Sequence, residues 1–340
     1  MGRLWVQNSF PNFHFYLFVM AICNLVTGGA GFIGSHLARA LVGRGEKVRV
    51  LDNFATGHHS NLADLAGIDL IEADLLDEAA CARACAGVDY VFHQAALPSV
   101  PRSIADPWST HQACATGTLN ILMAAYKTGV RRVIYAGSSS AYGNSPTLPK
   151  RESMPAEPRS PYAAAKLAGE HYCRAFMLCH GLETVTLRYF NVFGPHQDPH
   201  SPYSGVLPVF ITCLLRGEIC VINGDGETSR DFTYIENVIA ANLLARASPQ
   251  AIGKVYNIGC GRRVTLNWIY HFLAAEIGVR LAPRYGPERP GDVKHSLADI
   301  SAARADLGYC PEIGIEEGLR RTLAWYRAQM ALDAAPVMKN

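Results

Sequence analysis

No stretch of this 340-residue chain is apolar for long enough to cross a bilayer. A spanning helix needs about 20 consecutive apolar residues, and the apolar segment at 13–22 is ten long. The ten cysteines include no C-x-x-C pair and no Cys/His cluster at metal-ligand spacing, so no bound metal is expected. Their even number does not imply disulfides, because a core of this size needs none. Cys81 and Cys85, four apart on an expected helix, read as packing residues. Excess charge is missing too. There are 31 basic and 29 acidic side chains, a formal charge of +2, and this gives no electrostatic footprint for nucleic acid. Internal repeats and low-complexity tracts do not occur. What remains is a globular chain long enough for one large α/β domain with a smaller second lobe.

The segment at 13–22 resembles a signal-peptide core, yet it runs into the first expected strand with no room for a cleavage site. Met20 is therefore the expected functional start. Residues 1–19 would be a dispensable extension, and the expected compartment is the cytoplasm.

Residues 21–26 read as a short buried strand leading into Gly28, Gly31 and Gly34. A helical stretch follows at 35–42, then a strand at 47–51 that ends on Asp52. Strand, glycines, helix, strand and acid, in that order, make the dinucleotide-binding fingerprint. Gly28 allows the tight turn, Gly31 lets backbone approach a pyrophosphate, and Gly34 lets the helix sit close. The helix N-terminus turns its unpaired N–H groups to the phosphates. Asp52 is placed to bind the adenosine ribose and would repel a 2′-phosphate, which favours NAD over NADP.

A second pair of segments carries chemistry. Tyr162 and Lys166 are four apart, on one face of an expected helix with Ser160 as cap, Pro161 in the first turn and Gly181 as stop. Upstream, an apolar run at 132–137 ends in Ser138-Ser139-Ser140, which can supply a hydroxyl beside them. A free tyrosine has a pKa of about 10. A neighbouring ammonium and a bound nicotinamide cation would both favour its phenolate. The product is a general base for an alcohol proton, as carbonyl–alcohol redox chemistry requires. Alternating strands and helices up to about residue 190 imply a doubly wound parallel sheet. Beyond it, loops rich in Gly, Pro and His alternate with short elements. The expected division is a Rossmann domain at 20–190 and a lobe at 191–335 that mainly binds substrate.

With three-residue glycine spacing, the Val91-Phe92-His93-Gln94-Ala95-Ala96 string and the Tyr162/Lys166 pair, the chain resembles the extended short-chain dehydrogenase/reductases. The resemblance implies that Phe32, Ile33, Asn53, Asp74, Leu75, Gln94, Ala95, Ala96 and Phe190 contact NAD, with Asp74 near adenine. Tyr162 and Lys166 would contact it as well. The stretches around Arg230 and Arg289 are similar to those of NDP-sugar epimerases and dehydratases. By that resemblance the two arginines hold a diphosphate, for which the guanidinium fork is suited. Asn191, Ser99 and Asp292 would also contact substrate, and backbone near Gly205 and Val206 would line the sugar site.

The 4,6-dehydratases of this family carry Thr-Asp-Glu where this chain has Ser138-Ser139-Ser140. Without an acid to eliminate water, a 4-keto sugar can only take its hydride back, and rotation before that return makes a 4-epimerase. The family motif picks Ser138 as the hydroxyl bonding O4 and Ser139 as a second substrate contact. Strings at 52–58, 93–104 and 291–300 resemble bacterial UDP-N-acetylglucosamine 4-epimerases. In that family the position of Ser296 gates the C2 substituent, and a small residue admits an acetamido group. The implied activity is NAD-dependent interconversion of UDP-GlcNAc and UDP-GalNAc, by a homodimer paired through the helices containing residues 108–127 and 162–180. The alternatives are a UDP-glucose/galactose or UDP-uronic acid epimerase and, more remotely, a non-catalytic NAD-binding regulator. Two positions depart from the pattern. Cys114 replaces a usual asparagine near the cofactor, and Pro98 replaces a usual glycine over the sugar.

Overall fold

The protein is described here by a computed structural model covering residues 22–198, 205–288 and 293–334. The expected start at Met20 and the extension at 1–19 lie outside the described residues. Six strands alternate with helices in the first part of the chain. The strands are β1 (Cys23–Thr27), β2 (Lys47–Asp52), β3 (Asp69–Glu72), β4 (Tyr90–His93), β5 (Arg132–Ser138) and β6 (Glu183–Tyr189). Between them lie α1 (Phe32–Gly43), α2 (Glu78–Cys85), α3 (Val100–Ala105), α4 (Pro107–His111), α5 (Gly117–Thr128) and α6 (Pro161–His180). The later part holds β7 (Val192–Phe193), α7 (Val206–Leu215), β8 (Val221–Asn223), β9 (Ser229–Arg230), β10 (Thr233–Tyr234) and α8 (Ile235–Ala247). It continues with β11 (Val255–Ile258), β12 (Val264–Thr265), α9 (Leu266–Ile277), β13 (Arg284–Gly286), α10 (Ser301–Leu307) and α11 (Ile315–Ala334).

Seven strands form one parallel sheet in the order β3-β2-β1-β4-β5-β6-β11. Successive residues feed opposite faces. Leu25, Val91 and Val133 enter one apolar cluster, while their neighbours Val26, Phe92 and Ile134 enter the other. Burial on both faces is why these strands read as continuous apolar runs rather than alternating ones. The strand order reverses at β1, which lies between β2 and β4. In open parallel sheets that switch point, at the carboxyl ends of the strands, is where ligands bind.

The chain returns to the sheet after residue 190. β11 pairs with β6, and α8 packs beside it. The buried Arg132 anchors this return. Its Nη1 donates to the carbonyls of Ala245, Arg246 and Ser248 at the end of α8, while its Nη2 meets Glu183 at 2.7 Å. A guanidinium at a helix C-terminus satisfies carbonyls that have no partner inside the helix.

Helix α6 has the expected ends. Ser160 Oγ accepts from Ala163 N at 3.1 Å, and Gly181 closes the helix with φ 70°. Its middle lies directly on β5. A Cβ added at Gly169 would sit 2.3 Å from the Tyr135 hydroxyl, which itself donates to Lys166 O at 2.9 Å. Helix α1 begins at Phe32, three residues earlier than the sequence suggested, so Gly34 falls in its first turn.

Gly169→Ala is expected to push α6 off the strand. Overpacking of this kind costs about 1–3 kcal/mol, read as a lower melting temperature together with reduced turnover. Unchanged stability and rate would mean that α6 does not bear on Tyr135 this closely.

Candidate active site

Gly28, Asp52, Gln94 and Ser138 follow or end strands β1, β2, β4 and β5, at the carboxyl edge of the parallel sheet. Gly28 follows β1 with φ 65°, and a Cβ there would lie 2.7 Å from Ala95 Cα. Only glycine combines that conformation with that approach. At Gly34 an added Cβ would lie 2.0 Å from Gly28 O, so this residue packs α1 on the glycine loop itself. No side chain caps α1. Its first-turn N–H groups therefore have no intrahelical acceptor and suit a diphosphate. This donor set and the glycine cradle fit NAD. Phe32 and Ile33 are part-buried in that first turn.

Asp52, at the end of β2, helps to shape the loop. One carboxylate oxygen accepts from Ala30 N at 2.8 Å, the other from Phe54 N at 2.8 Å. Each oxygen keeps a lone pair for a ribose hydroxyl. Asn53 donates to Asp74 at 2.6 Å, and Leu76 N donates to the other Asp74 oxygen. Gln94 is engaged by Tyr189 at 3.2 Å and by Asn242 at 3.2 Å; Ala95 and Ala96 beside it are part-buried. Two of the residues expected at the cofactor have side chains that pack in the core. Phe190 is fully buried, and Leu75 packs beneath Gly117.

Tyr162 and Lys166 sit in the first turns of α6, beside the end of β5. Tyr162 lies near Ser138, whose Oγ is 2.7 Å from Ser140 Oγ. Ser139 begins the short 3-10 turn that follows. Lys166 is buried, with Nζ 4.3 Å from the centre of the Tyr135 ring. Burial first, then the Cys114 thiol, push the Tyr162 phenol above its ordinary value, and the nearby Ser138 hydroxyl pulls it back. Burial likewise lowers Lys166. The sequence supplied the neighbouring charge but not the desolvation that opposes it. Cys114 lies in a wide π-type turn at Gln112–Thr116, fully buried and near the backbone of Leu97, next to Pro98. Ser99 caps α3 by accepting from Arg102 N at 3.0 Å.

From the end of β6 a cavity of about 270 Å³ opens into the later part of the chain. Asn191, Gly205, Val206 and Arg230 line it, with Phe193, Asn223 and Phe232. Asn191 holds a φ of 34°. Its Nδ2 donates to Ser296 Oγ and to Asp231 O, both at 3.1 Å. Arg230 Nη1 donates to Ser229 O and Lys294 O. Arg289 and Asp292 lie outside the described residues. Among the described residues no group of His, Cys, Asp or Glu could hold a metal ion, and no helix is long and apolar enough to cross a membrane. All ten cysteines are free thiols.

Fold and site define a dinucleotide-binding α/β protein with a tyrosine, a lysine and a serine near the carboxyl end of β5. Residues 24–259 match the NAD dependent epimerase/dehydratase family, and the chain belongs to it. It is an NAD-dependent enzyme of the epimerase class. It is 35% identical over 308 residues to a UDP-glucose 4-epimerase of Mycolicibacterium smegmatis, covering 89% of this chain and 98% of that one. Among solved structures, the UDP-glucose 4-epimerase of Thermotoga maritima with UDP-glucose has a TM-score of 0.88 and 38% identity, covering 91% of this chain and all of that one. The UDP-N-acetylglucosamine 4-epimerase of Methanobrevibacter ruminantium M1, in complex with UDP-N-acetylmuramic acid, gives 0.87 and 41%, covering 91% and 99%.

Three residues at the site escaped the sequence reading. Tyr135 lies under Lys166 as an unusual tyrosine inside an apolar strand. Asn242, on α8, is fully buried and bonds both Gln94 and Tyr189. Asp231 is fully buried next to Arg230; burial pushes its carboxyl up to about 6, against three backbone N–H bonds that hold it down. The only signal for Asp231 was an acid between an arginine and a phenylalanine.

Tyr162→Phe is expected to fold, to retain NAD and to lose more than about nine-tenths of turnover, because the change removes only a proton acceptor of the kind worth about 10²–10⁴ in rate. Steady-state rates and the NAD content of the purified variant check this.

Proposed function

We propose that this enzyme interconverts UDP-GlcNAc and UDP-GalNAc through a 4-keto sugar. NAD, when bound, supplies the hydride acceptor and then the hydride donor at C4. Tyr162 Oη takes the proton of the C4 hydroxyl and later returns it. Ser138 Oγ holds O4 in line with that transfer, and Lys166 supplies the positive charge that favours the phenolate. Arg230 holds the diphosphate, as Arg289 would from outside the described residues. The glycine loop, Asp52 and the neighbouring strand ends hold the cofactor, so residues 20–190 serve mainly NAD and 191–335 mainly the UDP-sugar.

One observation carries the choice of substrate. Ser296 is small and lies 3.1 Å from Asn191, a lining residue of the cavity. A side chain of that size leaves room for an acetamido group. Plain UDP-glucose is the second reading, favoured by the 38% identity to the T. maritima enzyme. The serines after β5 support epimerisation over dehydration, since no acid stands among them to drive loss of water. A homodimer is part of the proposal. Trp108 is 68% exposed, and Tyr126 and Tyr172 are exposed on the helices expected to pair. Free thiols throughout fit the reducing cytoplasm.

Incubation with UDP-GlcNAc and UDP-Glc in separate reactions should give the C4 epimer of each, faster from the acetylated sugar, with no accumulation of NADH. One NADH released per sugar would identify a dehydrogenase instead. Ser296→Tyr places a ring where the acetamido group lies. It should abolish interconversion of the acetylated pair while UDP-Glc/UDP-Gal interconversion survives, because small displacements at a reacting centre are costly. Equal loss on both pairs would remove Ser296 from the account of specificity.

A further inference from the structure

The segment that carries Ser296 is held in place by other parts of the chain. Ser229 N donates to Lys294 O, and Ser296 N donates to Ser229 O. On the other side Lys150 N donates to Leu297 O, and Asp299 N donates to Lys150 O. Asp231 stands where these strands of chain meet. Its Oδ2 accepts from Ala298 N and Gly261 N, both at 3.0 Å, and its Oδ1 accepts from Cys260 N at 2.8 Å. Its own carbonyl accepts from Asn191 Nδ2, the amide that also reaches Ser296 Oγ. Gly259 makes room for the carboxylate. A Cβ there would lie 2.9 Å from Asp231 Oδ2 and 2.6 Å from Ala298 Cβ. One fully buried carboxylate thus ties its own segment, which carries Arg230, to the 260–261 turn and to the segment of Ser296, while the backbone carbonyl of the same residue holds Asn191.

We propose that Asp231 is the positioning residue of the sugar–diphosphate subsite. It sets the separation between the arginine just before it and the serine two residues before Ala298. The inference rests on the reading of the cavity as a UDP-sugar site. Three N–H donors converge on this side chain, and only a carboxylate has acceptors for all of them. An amide would turn its own N–H₂ toward at least one of the three and leave it without a partner in a buried place. The 296–298 segment would then move relative to Arg230. Tyr162, Lys166 and Ser138 lie on α6 and β5, which Asp231 does not touch through these bonds. The loss should therefore fall on substrate binding and spare the hydride step.

Asp231→Asn in the full NAD-loaded chain tests this. KM for both UDP-GlcNAc and UDP-Glc should rise about tenfold, the effect of losing one charge-assisted hydrogen bond. kcat should stay within about threefold, and NAD content should be unchanged. Gly259→Ala presses on the same junction without touching substrate and should give the same split, so the test survives if the amide variant fails to fold. A fall in kcat at unchanged KM, or loss of NAD, would overturn the proposal. Wild-type turnover with unchanged KM in both variants would overturn it alone. Absence of wild-type turnover on either sugar nucleotide would overturn the functional reading and this proposal together.

Discussion

Helix α6 lies so close to β5 that position 169 has no room for a methyl group. The rest of the site depends on this contact. It brings Lys166 over the Tyr135 ring and ties the Lys166 carbonyl to the Tyr135 hydroxyl. One turn earlier on the helix, Tyr162 is set near Ser138 at the end of the strand. A buried ion pair closes the other flank. Arg188 on β6 grips Glu170 through two bonds of 2.6 and 2.9 Å, and stacks on Tyr142. Removing one partner of such a pair leaves an uncompensated buried charge, so the helix is fixed on both sides. A general base is useful only when held within hydrogen-bond reach of its proton, and this packing fixes the position of Tyr162, the base in the proposed mechanism.

The same geometry joins the two halves of the site. Ser138 pairs in register with Tyr189, and Asn191 follows two residues later as the first wall of the cavity. The residues proposed to hold the cofactor come mainly from the ends of regular strands. Those lining the cavity come from short strands and irregular segments, held by bonds between distant parts of the chain. The return of α8 and β11 to the sheet ties the later part of the chain to the earlier one, through Arg132, Asn242 and Tyr189. A reaction that moves a hydride between sugar and cofactor needs that rigid connection, because orientation contributes much of the rate.

The nucleotide half was legible in the sequence because its signals are local. A buried strand, glycines at fixed spacing, a helix and an acid lie within thirty residues or so, and each obeys a backbone rule. The caps of α6 were legible for the same reason: Ser160, Pro161 and Gly181 act on their own helix. What could not be read is non-local. β11 is four residues long and gives no periodic signal that it belongs to a sheet begun 230 residues earlier. Phe190 and Leu75 came from resemblance, which places a backbone near the cofactor but not the side chain; both side chains face the core. Burial around Tyr162 was invisible as well, so the opposing desolvation emerged only from the fold. Asp231 makes its bonds to residues 29, 30 and 67 positions away.

In the proposed reaction a hydride leaves C4 and the same hydride returns to the opposite face. UDP-GlcNAc carrying deuterium at C4 tests this directly, with the product examined by mass spectrometry and NMR. The account predicts UDP-GalNAc that keeps its deuterium at C4, with none in the solvent. Loss of the label to water, or its appearance in free reduced cofactor, would contradict it.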